Sequence, residues 1–314
     1  MEKRVKHARV PDLRKLGTEK INAASINLSR KSSIEIARII NSEDAKVAGA
    51  VKRALPQIGH AIDLISGALR QGGRLIYVGA GTSGRLGALD ASECTPTFNT
   101  NPRTVQYVIA GGKRALAAAV EASEDSLTLG RSELARKKPG KKDIVVGIAA
   151  SGRTPFTIAA LRYARAHGSK TIAVSCNRNS PLGRLADVSI VAEVGPEVVA
   201  GSTRMKAGTA QKMILNMLTT GAMTRLGYVY GNLMVNVHVK NEKLAGRALA
   251  ILELTAGVGR SVARQALKNS GKNVPVALVM LEAKANRVAA AKALKLASGD
   301  VGLAITIARR GQRL

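Results

Sequence analysis

Three short stretches of this 314-residue chain set hydroxyl side chains beside glycine: Gly79-Ala80-Gly81-Thr82-Ser83-Gly84, Ser151-Gly152-Arg153-Thr154 and Gly201-Ser202-Thr203-Arg204. Glycine lets a backbone come close to a ligand, and Ser and Thr add hydroxyl donors. A helix that starts at such a turn contributes unpaired N–H groups and about half a positive charge. Together these suit a phosphate. The first stretch also spells G-x-G-x-x-G, the pattern of a dinucleotide site, which expects an acidic residue at the end of the next strand to hold a ribose. Here that strand, TVQYVIA, ends in Gly111-Gly112 with no carboxylate, which argues against NAD. A lone serine at a helix start is ordinarily an N-cap worth about 1 kcal/mol to the fold. The echo between IYVGAGTSGR (76–85) and VVGIAASGRT (145–154) is more than capping requires. Thr82, Ser83, Ser151 and Thr154 are therefore the phosphate-binding candidates. The third loop, GPEVVAGSTRMKAGTAQK (195–212), adds Glu197, Ser202 and Lys206 as substrate-binding candidates. Its cations Arg204 and Lys206 also read as plain surface charges.

Acid–base chemistry needs carboxylates near such a cradle. Glu93, in LDASECTP, and Glu124, in VEASEDS, both stand at the ends of expected helices, where they could face a cleft. Asp90, Glu121 and Asp125 are neighbours that periodicity alone does not separate from them.

These residues need elements to hold them. The runs RLIYV, TVQYVIA, DIVVGIA, KTIAVSC and VSIVAEV read as short buried strands. Helical patterns follow the first at about Ser83, the second over 115–122, the third over 155–166 and the last from Arg204 to about Arg225. Strands alternating with helices predict an α/β fold with a doubly wound parallel sheet, whose carboxyl edge would gather the serine turns. Before it, a helical stretch covers 34–40. A second helix start is expected at Asn41-Ser42-Glu43-Asp44, running over 47–69. After Gly227 only helices are expected, in a compact bundle with breaks at NSGKNVP and ASGDVG. The organisation expected is an N-terminal helical segment (1–50), the α/β domain (51–228) and a small helical C-terminal domain (229–314).

Hydrophobic content of 46% allows a sizeable core, and with aromatics at 2% that core must be aliphatic. The net charge of +28 is spread along the chain, and five Tyr and two Phe leave little for base stacking. A solvated basic surface that attracts small anions is expected rather than a nucleic-acid partner. Cys94 and Cys176 read as reduced thiols of a cytoplasmic protein. His7, His60, His167 and His238 show no metal-ligand spacing, so no metal is expected. No signal peptide and no membrane-spanning run is recognisable.

The motifs GRLIYVGAGTSGRLGALDASECTPT, DIVVGIAASGRTP, GPEVVAGSTRMKAGTAQKMILNMLTTGAM and GNLMVNV…NEKL, in this order, closely resemble those of N-acetylmuramic acid 6-phosphate etherases, which are sugar-isomerase (SIS) domain proteins. The resemblance covers roughly residues 20–260, with a weaker match in a UBA-like tail. It implies cleavage of a D-lactyl ether to N-acetylglucosamine 6-phosphate and D-lactate in cell-wall sugar recycling. It implies a homodimer with no metal, nucleotide or other cofactor, and a phosphorylated amino sugar as substrate. By the same resemblance Glu93 is the general acid, Glu124 a second catalytic residue, and Ser83, Ser151 and Thr154 hold the 6-phosphate. Departures are Lys113 and Arg114 where an acidic residue is common, and Ala200 where Thr is common. Related readings on the same fold are an aldose–ketose phosphosugar isomerase and a phosphosugar-sensing regulator.

Overall fold

The computed structural model describes residues 17–311 apart from 119, 238, 240 and 241. His7 and His238 therefore lie outside the described residues, and the side chain of Glu121 is likewise not described. The chain opens with three short 3-10 turns over residues 17–30, then α1 (Ser33–Lys52) and α2 (Leu55–Arg70). The α/β core follows: β1 (Leu75–Gly79), α3 (Gly81–Phe98), β2 (Val105–Ile109), α4 (Leu127–Ala135), β3 (Ile144–Ile148), α5 (Pro155–Ala166), β4 (Lys170–Ser175), α6 (Pro181–Leu185), β5 (Val188–Val191) and α7 (Lys206–Arg225). A two-stranded hairpin, β6 (Val229–Tyr230) and β7 (Leu233–Met234), leads to α8 (Glu242–Ala256), α9 (Arg260–Asn269), α10 (Val274–Ala283), α11 (Arg287–Leu296) and α12 (Val301–Arg310).

All five strands of the main sheet pair in parallel, in the order β2-β1-β3-β4-β5. Alternate side chains feed two cores. Leu75, Tyr77, Val146 and Ile172 pack against Val47, Ile58, Ile65, Ile214 and Leu218 of α1, α2 and α7. Ile76, Val78, Val145 and Ala173 pack against Leu134, Phe156, Leu161 and Leu182 of α4, α5 and α6. Each fully buried Leu or Ile contributes about 1.5–3 kcal/mol, so both faces of the sheet are committed to packing and function is left to its edges and ends. A separate core is built from α8–α12, with Leu252, Ala263, Val274, Leu278, Ala290 and Ala304 at its centre. Among the described residues, no helix is long and apolar enough to cross a membrane.

Several local expectations are corrected. Asn41 to Asp44 do not start a helix but lie inside α1. That helix begins at Ser33, where Glu35 accepts hydrogen bonds from the Ser32 N–H at 2.9 Å and its hydroxyl at 2.7 Å. The helix expected over 47–69 is broken after Lys52, and α2 restarts with Pro56 in its first turn, a position that needs no N–H. No α-helix forms over 115–122, where 3-10 turns span Gly112–Leu116 and Glu121–Ser123. The carbonyls of Ala115 and Ala118 instead accept from the Arg85 guanidinium, both at 2.8 Å. The α-helix of this connection is α4, further on. The hairpin β6–β7 interrupts the all-helical reading after Gly227.

Candidate active site

β1 runs to β2 on one side of it and the chain returns to β3 on the other, so the strand order reverses between β1 and β3. In open parallel sheets that switch point, at the carboxyl ends of the strands, opens a crevice. A cavity of about 380 Å³ lies there. Thr82 and Ser83 reach it from the first turn of α3, and Ser151 and Thr154 from the turn between β3 and α5. Glu124 lines it from the loop before α4, Arg85 from α3, Thr203 from the loop before α7 and Glu19 from the N-terminal segment. A larger groove of about 830 Å³ runs along the open edge of β2, between α3 and α4. None of the serine turns reaches it, and the cavity where hydroxyls and carboxylates converge is the candidate site.

The glycines of the first turn serve packing. A Cβ on Gly84 would stand 2.6 Å from Ile109 Cγ1 and 2.7 Å from the Gly79 carbonyl oxygen, so the helix approaches the sheet closely only without one. Ala80, at the N-cap of α3, offers no capping side chain, and Thr154, at the N-cap of α5, makes no side-chain capping hydrogen bond. The hydroxyl of Ser83 donates to Gln211 Oε1 of α7 at 3.0 Å, and that of Ser151 accepts from the Arg153 N–H at 3.1 Å.

Glu124 is held from two sides. Its carbonyl accepts from the Phe156 N–H in the first turn of α5 at 3.0 Å. Its carboxylate lies over the N-terminus of α3, with Oε1 2.9 Å from where a Cβ on Gly81 would stand. Glu124 is half-buried and borders the open cavity.

The other candidate positions sit elsewhere. Glu93 is exposed on α3, twelve residues beyond Gly81, or about 18 Å along the helix, and is not on the wall of its own chain's cavity. Glu197 is fully buried, and its two carboxylate oxygens accept from the N–H groups of Lys206 and Ala207, both at 2.9 Å. Burial pushes its carboxyl up from the usual range, against the pull of those N–H groups. Lys206 is 1% exposed and pairs with Glu43 of α1 at 2.5 Å, while Glu43 also binds Lys46. Both Glu197 and Lys206 thus fix the start of α7 from inside. The Ser202 carbonyl accepts from the Met205 N–H at 3.3 Å, and it is Thr203 rather than Ser202 that reaches the cavity.

Asp90 is buried and accepts from the Tyr77 hydroxyl at 2.8 Å, Asn216 at 2.8 Å and Thr219 at 3.2 Å, which makes it a tie between β1, α3 and α7. Asp125 is exposed. His60 is exposed, and His167 stacks on Tyr163. Cys94 and Cys176 are free and buried, and burial pushes both thiols up to about 12. Among the described residues, no group of three or more His, Cys, Asp or Glu is placed to hold a metal ion.

Sequence reasoning missed Arg85 and Glu19 as cavity residues. Arg85 was signalled by the repeated Ser-Gly-Arg of the two echoing turns. Glu19 had no signal, because nothing local distinguishes it in a basic segment.

The sheet order and the serine turns at its switch point define a SIS-type phosphosugar fold. The SIS domain model matches residues 138–221, and the model of the glucokinase regulatory protein N-terminal SIS domain matches residues 57–165. At whole-chain level the sequence is 48% identical over 292 residues to N-acetylmuramic acid 6-phosphate etherase 1 of Bacillus licheniformis, covering 93% of this chain and 96% of that one. It is 48% identical over 298 residues to N-acetylmuramic acid 6-phosphate etherase of Photorhabdus laumondii subsp. laumondii, covering 95% and 99%. The chain belongs to the N-acetylmuramic acid 6-phosphate etherase family. Among solved structures, a phosphoheptose isomerase from Francisella tularensis aligns over 62% of this chain and 100% of its own, at 19% identity and a TM-score of 0.48.

Proposed function

We propose that this chain cleaves the D-lactyl ether of N-acetylmuramate 6-phosphate, giving N-acetylglucosamine 6-phosphate and D-lactate, in the cytoplasmic recycling of cell-wall sugars. The observation that carries this reading, beside family membership, is the convergence of four hydroxyls and the Glu124 carboxylate on one cavity at the β1/β3 switch point. Thr82, Ser83, Ser151 and Thr154 bind the 6-phosphate at the ends of α3 and α5, which fixes the register of the sugar. Binding energy from this remote group is available for orientation at the reacting carbons.

An alkyl ether resists direct displacement, because an alkoxide leaves poorly. Elimination is easier. Opening of the sugar ring makes C1 an aldehyde and the C2 hydrogen acidic. Glu124 takes that proton, the electron pair forms the C2–C3 double bond, and the C3–O bond breaks. Glu93 gives a proton to the departing oxygen of lactate. Water then adds across the double bond, its hydroxyl going to C3 and a proton to C2. Each such proton-transfer group is typically worth about 10²–10⁴-fold in rate.

Glu93 lies too far along α3 to serve its own chain's cavity, so it acts across the interface of a homodimer. Mixing Glu93→Gln with Glu124→Gln protein tests this. Half of the randomly re-formed dimers would be hybrids with one intact site, so about a quarter of wild-type activity would return. No recovery would place both residues in one chain. The reaction itself is tested with N-acetylmuramate 6-phosphate in ¹⁸O-water. The label is expected at C3 of the sugar product and not in lactate. Label in lactate would overturn the elimination, and a product retaining the lactyl group would point to an isomerase.

A further inference from the structure

Residues 17–30 lie outside the sheet, yet they are tied to the loops that follow β4 and β5. The Gly17 N–H donates to Asn177 Oδ1 at 2.9 Å. Asn177 Nδ2 in turn donates to Thr18 Oγ1 at 3.3 Å and to the carbonyl of Ala150, on the cavity wall, at 3.0 Å. Asn22 Nδ2 donates to the Pro196 carbonyl at 3.1 Å, and the Ser25 hydroxyl to the Val198 carbonyl at 2.7 Å. Asn22 also hydrogen-bonds Glu43, the partner of buried Lys206. This strap is thus anchored on both sides of Glu19. Glu19 is half-buried, lines the cavity beside Thr203, and holds its Oε2 3.1 Å from where a Cβ on Gly201 would stand.

The cavity then has two chemically different parts. Around α3 and α5 it offers hydroxyls, helix N-termini and the Arg85 side chain, whose guanidinium also holds the Ala115 and Ala118 carbonyls, with the Glu124 carboxylate over Gly81. On the strap it offers a carboxylate, which accepts hydrogen bonds and repels anions. A phosphosugar has matching ends: a phosphate, and a body carrying neutral hydroxyl and amide donors.

We propose that Glu19 is a substrate-contacting specificity residue that accepts a hydrogen bond from a neutral donor of the sugar body and turns the phosphate toward α3 and α5. This rests on the phosphosugar reading given above. The strap's anchors hold the carboxylate in place before substrate arrives, which lowers the entropy lost on contact. Hydrogen bonds to charged groups are the strong ones, so losing one here weakens sugar binding roughly ten- to a hundredfold.

The test compares wild type, Glu19→Gln and Glu19→Asp. Lactate release from N-acetylmuramate 6-phosphate gives kcat/KM, and calorimetry gives the affinities of N-acetylglucosamine 6-phosphate and inorganic phosphate. Glu19→Gln is expected to weaken the sugar phosphate roughly ten- to a hundredfold, to lower kcat/KM in step and to leave inorganic phosphate unchanged or tighter. Glu19→Asp, which keeps the charge, is expected to fall between the two. Equal affinities in wild type and Glu19→Gln would overturn the proposal. A parallel loss of sugar phosphate and inorganic phosphate would overturn it too, since the strap would then be acting only on the cavity's shape. A wild type that binds the sugar phosphate but releases no lactate would instead sink the etherase reading.

Discussion

Two helices of this molecule begin under a glutamate, and the two glutamates live differently. At α7, Glu197 is sealed in the core and both its oxygens accept backbone N–H groups. At α3, the Glu124 carboxylate lies over Gly81 but borders an open cavity. The favourable electrostatics of a carboxylate at a helix N-terminus are common to both. Access separates them: the first glutamate is sealed in the core, and the second lines a cavity that a ligand can enter. A glutamate beside a glycine-rich turn is therefore read as a ligand group only once its exposure is known.

The sharpest way to break this contrast is to neutralise each glutamate in turn. Glu124→Gln should lower lactate release by about 10²–10⁴-fold per folded molecule. Glu197→Gln should lower the melting temperature and keep the turnover per folded molecule. Next in size is the support beneath Glu197. Lys206→Met leaves Glu43 buried beside the half-satisfying Lys46, and should cost about 3 kcal/mol in urea unfolding. Smaller again is the cradle. Ser83→Ala or Ser151→Ala should weaken inhibition by inorganic phosphate about tenfold, the usual size for one charge-assisted hydrogen bond. Unchanged inhibition would remove these hydroxyls from the phosphate site.

The smallest effect is one of sign with pH. Burial pushes the Glu43 carboxyl up, but hydrogen bonds from Lys206, Lys46 and Asn22 outweigh it and hold the group at about 2, below its ordinary 4.5. Its contribution to stability is thus present above pH 4.5 and lost as pH falls toward 2. For Glu197 burial wins and the carboxyl is raised, so its contribution grows as pH falls through that raised value. Urea midpoints followed against pH should show a shallower acid limb in Lys206→Met, where Lys46 and Asn22 still hold Glu43, and a shallower opposing limb in Glu197→Gln.

Much of the frame could be read from residue order. The five runs became the five strands; β1 and β3, buried on both faces, are unbroken apolar runs, while the edge strands β2 and β5 tolerate Gln106 and Ser189. The echoing Ser-Gly-Arg turns fell on adjacent strands β1 and β3 and opened onto one cavity. What escaped was decided in one case by an earlier cap and in the others by distant contacts. Asn41 to Asp44 look like a cap, but Ser32 and Glu35 had already started the helix. The alanines at 115–122 favour a helix, but Arg85 from α3 takes two of their carbonyls. Lys206 looks like an anion binder in its loop and turns out to be the internal partner of a residue 163 positions earlier. Glu19 gains its place through the same kind of long-range tie.

The strap also fixes an order of events. Its anchors Asn177, Pro196 and Val198 lie 160 to 174 positions beyond the residues they hold. At a synthesis rate of about 5–20 residues per second, some ten to thirty seconds separate the emergence of Glu19 from the ribosome and the arrival of the loops that dock it. The part of the pocket made first thus waits for the loops after β4 and β5, and its carboxylate is docked only once all five strands of the sheet have been made.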